Sequence, residues 1–323
     1  MVGNSDHSGG RMRIASIDIG TNTMLMLIAD VNEDGSLTVL SDQQVVARVG
    51  KGVNRTGAID WSAFTRSEQY LSEYLAESGK QNVDIIRCTG TSALRDAKNR
   101  EDYLEYMQQK LGLEIEILSG EDEALWTYGG AISGFPNRNG SFAVLDIGGG
   151  STEMTVGKGF HIDTRMSVDI GCVRLTERFL PHSPPRPAEL DELISHLERE
   201  IDAYPVFDPA TTTFVGVAGT VTTLAALEMG LEEYDGKTIS GFRLTREMIT
   251  RRFDEFAALS SKDIETVLRV DPGRADIILV GIAILKVLTE KRDLPELIVS
   301  ERGLRYGIAV REWESGLERS SMS

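Results

Sequence analysis

The stretch best suited to chemistry is a run of small residues between two carboxylates, Asp146 and Glu153. The run includes Gly148, Gly149, Gly150, Ser151 and Thr152. Apolar residues on both sides predict two strands joined as a hairpin. A glycine tip can adopt positive φ and bring backbone N–H groups close to a ligand. Such N–H groups beside two hydroxyls suit phosphate oxygens, and the carboxylates could hold Mg²⁺. A plain glycine-rich turn with charged flanks is the alternative.

The same pattern occurs near the N-terminus. Asp18–Thr23 aligns with Asp146–Ser151 without a gap, at a separation of 128 residues. The apolar flanks align as well, with Ile14–Ile17 on Phe142–Leu145. An internal duplication in the sequence indicates a repeated structural unit. It predicts two similar domains, each beginning with a hairpin, with the two tips facing one cleft and one aspartate on each side.

Composition excludes several classes of function. The net charge of −16 argues against nucleic-acid binding. The longest apolar run, Ile277–Leu285, is too short to span a bilayer, and the first residues do not resemble a signal peptide. Two cysteines and four histidines show no metal-binding spacing. We therefore expect a cytoplasmic protein that binds neither nucleic acid nor membrane.

Strands alternate with amphipathic helices along both halves, which predicts α/β domains with mixed sheets flanked by helices. The turn over Gly134–Gly140 is the best domain boundary. The prediction is a loose tail over residues 1–11, an N-terminal domain over 12–135 and a C-terminal domain over 136–323. Gly219 and Thr220 end a strand and begin a helix, so their amides are expected to face the cleft. An ordinary strand–helix turn is the alternative.

Seven motifs in order carry a resemblance to a known family. They are DIGTNT at Asp18–Thr23, TSALRDA at Thr91–Ala97, SGEDEA at Ser119–Ala124, DIGGGSTE at Asp146–Glu153, VAGTVTTLAAL at Val217–Leu227, DPGRADII at Asp271–Ile278 and SERGLRYG at Ser300–Gly307. The chain resembles the Ppx/GppA exopolyphosphatase family, within the actin-like ATPase superfamily. The resemblance implies two actin-like (ribonuclease H-like) domains with the active site in the cleft between them. It also implies that the last helix can pack back on the first domain.

The resemblance favours Glu121 as the general base for an attacking water. Ser119–Asp122 also resembles a helix capping box, which is the structural alternative for Glu121. Glu153 matches the family's second essential glutamate, with a metal or water-orienting role. Asp18, Asp146 and Glu153 are the predicted ligands of Mg²⁺, with Mn²⁺ as an alternative.

The residues predicted to bind phosphate lie in both tips and in two further turns. They are Thr21, Asn22, Thr23, Arg95, Gly148, Gly149, Gly150, Ser151, Thr152, Gly219 and Thr220. Arg95 could clamp a phosphate with two parallel hydrogen bonds, or it could pair with a neighbouring carboxylate. Weaker candidates of the same kind are Arg48, Arg269, Arg274 and Arg302.

The expected function is that of a Mg²⁺-dependent exopolyphosphatase that releases terminal orthophosphate from inorganic polyphosphate. Short chains are favoured because the negative net charge slows encounter with a polyanion. Leu25 stands where many family members carry an arginine, so one basic contact to substrate is missing. A guanosine pentaphosphate 5′-phosphohydrolase and a non-catalytic nucleotide or polyphosphate sensor are the alternatives. A homodimer is expected from the family.

Overall fold

The computed structural model describes residues 12–321, with side chains described as far as Ser315. The tail predicted over residues 1–11 lies outside the described residues. A five-stranded sheet organises the first half in the order β3-β2-β1-β4-β5. The elements are β1 (Met12–Ile19), β2 (Met24–Val31), β3 (Leu37–Val45), α1 (Val53–Thr56), α2 (Trp61–Lys80), β4 (Ile85–Gly90), α3 (Ser92–Asp96), α4 (Arg100–Leu111) and β5 (Glu116–Ile117).

A second sheet of six strands organises the rest of the chain, in the order β10-β11-β9-β6-β7-β8. The elements are α5 (Gly120–Ile132), β6 (Ser141–Ile147), β7 (Thr152–Lys158), β8 (His161–Val168), α6 (Cys172–Phe179), α7 (Pro187–Glu200), β9 (Thr212–Val217), α8 (Ala218–Met229), α9 (Gly236–Ile239), β10 (Arg243–Thr245), α10 (Arg246–Ala257), α11 (Ser261–Val267), α12 (Ile278–Lys291), β11 (Glu296–Val299) and α13 (Leu304–Ser321). The predicted fold class, two α/β halves with mixed sheets flanked by helices, is confirmed. The domain limits stay a prediction.

Each sheet is built on the same core of four strands. β1 pairs antiparallel with β2 and parallel with β4, and β6 pairs antiparallel with β7 and parallel with β9. The fourth strands, β3 and β8, pair antiparallel with β2 and β7. Asp18 lies opposite Leu25 in the first hairpin, and Asp146 lies opposite Glu153 in the second. The duplication therefore extends from the sequence to the pairing register. It places one aspartate at the end of the central strand of each sheet.

The last helix joins the two halves. α13 follows β11 of the second sheet but packs on β1 and β2 of the first, where Ser16 Oγ donates to the Arg305 carbonyl at 2.6 Å. It also packs against α5 at a close crossing. A Cβ at Gly130 would lie 2.3 Å from the Gly303 carbonyl oxygen, and one at Gly307 would lie 1.8 Å from that of Trp126. This glycine-dependent crossing fixes α5 relative to both sheets.

Every residue of α12 from Ile278 to Thr289 except Lys286 is buried, as expected of a helix in the core of the second half. Within residues 12–321, no helix is both long enough and apolar enough to cross a membrane.

Candidate functional site

The two hairpin tips meet at the centre of the molecule. A Cβ at Gly149 would lie 2.7 Å from Thr21 Cβ, and one at Gly150 would lie 2.1 Å from Ser92 Oγ. Such separations are shorter than any tolerable van der Waals contact, so these glycines allow the first half to pack against the second tip. None of Gly148, Gly149 and Gly150 has a positive φ. The expectation of left-handed glycines at the tip was therefore wrong, and the requirement comes from packing between the tips.

A cleft opens beside the crossing tips, with a volume of about 850 Å³ including its open mouth. Asp18, Asp146 and Glu123 line it together with residues of both tips. Glu153 lies next to them, with 2% of its surface exposed. Four carboxylates thus come together in a region that excludes most water.

Burial raises the pKa of all four carboxyl groups. The pKa of Glu123 is raised from 4.5 to about 7 and that of Asp146 from 3.8 to about 6. The pKa values of Asp18 and Glu153 are also raised, first by burial and then by the charges of Glu123 and Asp146. The physical cause is the cost of several negative charges in a poorly hydrated space. The cleft therefore favours protons or cations.

Three neutral or cationic side chains hold three of these four carboxylates in place, namely Glu123, Asp146 and Glu153. Arg95 Nη1 donates to Glu123 Oε2 at 3.1 Å, and Thr127 Oγ1 donates to Asp146 Oδ2 at 3.3 Å. On β8, Ser167 Oγ donates to Glu153 Oε1 at 2.6 Å, directly across the strand pair. These bonds leave specific oxygens free. Asp18 Oδ1 and Glu153 Oε2 are buried without a hydrogen-bond partner.

The structure does not bring Glu121 into the cleft. Its side chain is 70% exposed and pairs with Arg165 at 3.3 Å. The N-terminus of α5 explains the difference: Ser119 caps it by accepting from the Asp122 N–H. Two residues along a helix correspond to a rotation of roughly 200°, so Glu121 and Glu123 face opposite sides. The cleft carboxylate of this motif is Glu123.

The sequence contained a signal for Glu123 that motif matching passed over. Glu123 and Thr127 are four residues apart, and Gly130 follows three residues later, as the residues of one buried helix face do. Thr127 holds Asp146 and Gly130 contacts α13. The phase of the helix therefore separates the two glutamates.

Most of the residues predicted to bind phosphate line the cleft. They are Thr21, Asn22, Thr23, Gly148, Gly149, Gly150, Ser151 and Gly219. Thr152 and Thr220 point elsewhere: Thr152 donates to the Ile170 carbonyl, and Thr220 packs against Gly281 of α12. Both hydroxyls thus belong to the supporting structure.

The sequence favoured Arg95 over Arg274 as a phosphate-binding residue, and the structure favours the opposite ranking. Arg95 is engaged with Glu123, with the Leu118 carbonyl at 2.9 Å and with Ser151 Oγ at 3.4 Å. Arg274, a weaker candidate, is buried in the cleft wall and donates to Thr23 Oγ1 at 3.0 Å. Its guanidinium lies over Gly219, where a Cβ would be 1.9 Å from Arg274 Cζ. Arg274 therefore has the better position for a substrate anion.

The donor set fits a hard cation bound partly by the protein. Among the described residues, no three histidine, cysteine or carboxylate side chains form a ready-made metal-binding group. Mg²⁺ commonly needs only one or two carboxylates, with water and substrate phosphates completing its octahedron. The unpartnered oxygens of Asp18 and Glu153 are suitable ligands of that kind.

Fold and site together define a two-part α/β protein with two glycine-bearing hairpin tips and buried carboxylates in one cleft, an arrangement suited to phosphohydrolase chemistry. A sequence profile of the Ppx/GppA phosphatase family matches residues 27–315. The chain belongs to this family, and it is an enzyme of the class that hydrolyses phosphoanhydride bonds.

Individual relatives agree with this assignment. "Exopolyphosphatase 2" of Mycobacterium tuberculosis is 32% identical over 314 residues, covering 92% of this chain and 98% of that protein. The guanosine-5'-triphosphate,3'-diphosphate pyrophosphatase of Vibrio atlanticus is 31% identical, covering 91% of this chain and 58% of that protein. The crystal structure of the Ppx/GppA family member of Aquifex aeolicus has 34% identity and a TM-score of 0.80, covering 95% of this chain and 99% of that one.

Proposed function

We propose that this enzyme is a Mg²⁺-dependent exopolyphosphatase that releases terminal orthophosphate from short inorganic polyphosphate. The observation that carries the proposal is the convergence of four buried carboxylates beside two glycine-bearing tips. A cation-assisted reaction on an anionic substrate makes use of such a cluster, because without a cation the carboxylates would repel phosphate.

Cleavage of a phosphoanhydride requires charge neutralisation, an in-line nucleophile and a stabilised leaving group. Glu123 is the proposed general base, in place of Glu121. With a pKa of about 7, its carboxylate can accept a proton from water near neutral pH. Arg95 fixes its orientation through Glu123 Oε2. The attacking water would lie between Glu123 and the terminal phosphoryl group.

The tips supply the binding groups. Backbone N–H groups of Thr21–Thr23 and Gly149–Ser151 would hold phosphate oxygens from opposite sides. Arg274 and the N-terminal amides of α8 around Gly219 would add positive potential on a third side. Asp18, Asp146 and Glu153 would hold the Mg²⁺, which when bound neutralises charge on the phosphoryl oxygens.

The experiment compares Glu123→Gln with Glu121→Gln. Orthophosphate release is measured with Mg²⁺ from short polyphosphate, long polyphosphate, guanosine pentaphosphate and ATP. The Glu123 variant should lose about 10²- to 10⁴-fold in kcat, the usual contribution of a general base. The Glu121 variant is the matched control, two residues away on the exposed face, and should stay within about twofold. The opposite ranking would return the role of base to Glu121, and turnover of ATP alone would refute the polyphosphate assignment.

A second candidate substrate, guanosine pentaphosphate, is favoured by three other side chains that line the cleft, those of Leu25, Gln44 and Tyr234. Arg305, which also lines it, is held by Asp42 through two bonds of 2.8 and 2.9 Å. An apolar, an aromatic and an amide side chain suit a nucleobase better than a phosphate. The substrate panel decides between the two.

The cytoplasmic location and the homodimer stay predictions. Gel filtration with light scattering would measure the oligomeric state directly.

A further inference from the structure

Arg48 has an uncommon backbone conformation beside the first tip. Its φ of 50° lies in the left-handed region, which is costly for a residue with a long side chain. In this conformation its N–H donates to the Asn22 carbonyl at 2.8 Å. The backbone of Arg48 is therefore tied to the tip that carries Thr21–Thr23.

The side chain of Arg48 crosses to the other half of the molecule. Nη1 donates to Asp276 Oδ2 at 2.6 Å, and Nη2 donates to Asp276 Oδ1 at 3.2 Å and to the Gly273 carbonyl at 3.1 Å. The neighbouring Val46 packs on Gly273, where a Cβ would lie 3.1 Å from Val46 Cγ2. One guanidinium thus holds two points of the turn between α11 and α12.

That turn carries Arg274. Pro272–Arg274 form a single 3₁₀ turn, and Arg274 Nε is bonded to Asp271. Arg274 Nη2 donates to Thr23 Oγ1 at 3.0 Å, which returns to the tip held by Arg48. The contacts form a closed ring: tip to Arg48, Arg48 to the turn, the turn to Arg274, and Arg274 to the tip.

We propose that Arg48 is a positioning residue that sets Arg274 in the cleft and so controls substrate binding through Arg274. The expected effect on substrate binding rests on the proposed function, whereas the placement of Arg274 by Arg48 does not. Arg48 and Asp276 are partly exposed, with side-chain exposures of 33% and 42%, so the pair contributes little to global stability. Its effect is on geometry, because a misplacement of about 1 Å weakens the contacts that Arg274 would make with an anion.

The kinetic test uses Arg48→Asn, since asparagine tolerates the left-handed conformation and only the guanidinium is lost. KM for the substrate turned over by the wild type should rise about tenfold with kcat within about twofold, the pattern of lost uniform binding. In an Arg274→Gln background, Arg48→Asn should add nothing to KM, because both changes remove the same contact. A further tenfold rise in KM on adding Arg48→Asn to the Arg274→Gln background would overturn the proposal. An unchanged KM in the Arg48→Asn single variant would overturn it as well.

Charge reversal gives a rescue that a merely structural role would not show. Arg48→Asp alone should raise KM at least as much as Arg48→Asn, since it places two carboxylates together. Arg48→Asp with Asp276→Arg should bring KM back to within about threefold of the wild type. Failure of the double variant to improve on the single one would count against the ion pair.

Hydrogen exchange tests the geometry without any substrate. The amides of Ala275 and Ile277 bond within the turn at 3.1 and 2.9 Å, and they should exchange about tenfold faster in Arg48→Asn. The control is Arg55→Asn, an exposed arginine seven residues further along, which should leave them unchanged. Equal exchange in wild type and Arg48→Asn would refute the proposal. A wild type without phosphohydrolase activity would refute the proposed function instead, and the exchange comparison would then decide on Arg48 alone.

Discussion

The two hairpin tips have the same backbone and different chemistry. In the first, the Gly20 N–H donates to the Thr23 carbonyl at 3.0 Å, and in the second the Gly148 N–H donates to the Ser151 carbonyl at 3.0 Å. A Cβ at either glycine would lie 2.9 Å from that carbonyl oxygen. The turn geometry has therefore been kept in both copies, together with the aspartate before it.

The side chains differ in a complementary way. The first tip carries Thr21 where the second carries Gly149, and the second carries Glu153 where the first carries Leu25. Thr21 occupies the space left by Gly149. Two identical tips would either collide or leave a gap. The differences between the two copies therefore allow the tips to pack together. They also place the additional carboxylate, Glu153, in the second tip alone.

The largest expected effect comes from making the second tip resemble the first. Glu153→Leu should lower kcat about 10²- to 10³-fold, because a proposed Mg²⁺ ligand is lost. The same change removes a buried carboxylate, so the Mg²⁺-free protein should melt at a higher temperature. Phosphate-release assays and thermal melts measure the two effects. Lower activity combined with lower stability would indicate disrupted packing instead of a lost ligand.

Protonation of Glu123 should make the stability difference between the wild type and Glu123→Gln depend on pH. Because the pKa of Glu123 is raised from 4.5 to about 7, the folded protein binds this proton more tightly than the unfolded chain. Its contribution to stability is complete below about pH 4.5 and is lost as the pH rises to about 7. Relative to Glu123→Gln, the wild type should lose up to about 3 kcal/mol of unfolding free energy across that window.

Urea unfolding at several pH values, with chelator present, checks this expectation. Addition of Mg²⁺ at pH 8 should recover part of the loss, because a bound cation replaces the proton. A difference between the two proteins that does not change with pH would contradict the raised pKa.

Filling the space between the tips should have a smaller effect. Gly150→Ala should cost about 1–3 kcal/mol of unfolding free energy and reduce activity, because its Cβ would overlap Ser92 Oγ. Gly129→Ala is the control: a Cβ there has no neighbouring atom within 4 Å, and helix propensity predicts a gain of roughly 0.5–1 kcal/mol. Equal effects at the two positions would show that the tips do not pack as described.

The smallest effect is expected where the repeat places Gly90 in the first half and Ala218 in the second. Ala218 has a φ of 66°, which costs a residue with a Cβ about 1–2 kcal/mol. Ala218→Gly should relieve this strain, but glycine also makes the unfolded chain more flexible, which opposes folding. The net stabilisation should therefore be at most about 1 kcal/mol. Chemical denaturation measures it, and destabilisation would mean that the alanine methyl packs favourably.

The amino-acid sequence alone determined the duplication, the two hairpins, the alternation of strands and helices, and the family. These depend on local patterns and on motif order, which do not change when the chain folds. The equivalent places of Asp18 and Asp146 also followed, because each aspartate lies next to the last residue of the equivalent strand in its own sheet.

Only the tertiary structure decided which of two neighbouring glutamates faces the cleft, which arginine lies in its wall, and why the second tip needs its glycines. The phase of α5 turns Glu123 inward and leaves Glu121 in solvent. Arg274 reaches Thr23 across 251 positions of sequence. Such relations depend on how helices and tips from both halves pack together, and distances between segments remote in sequence are set by that packing.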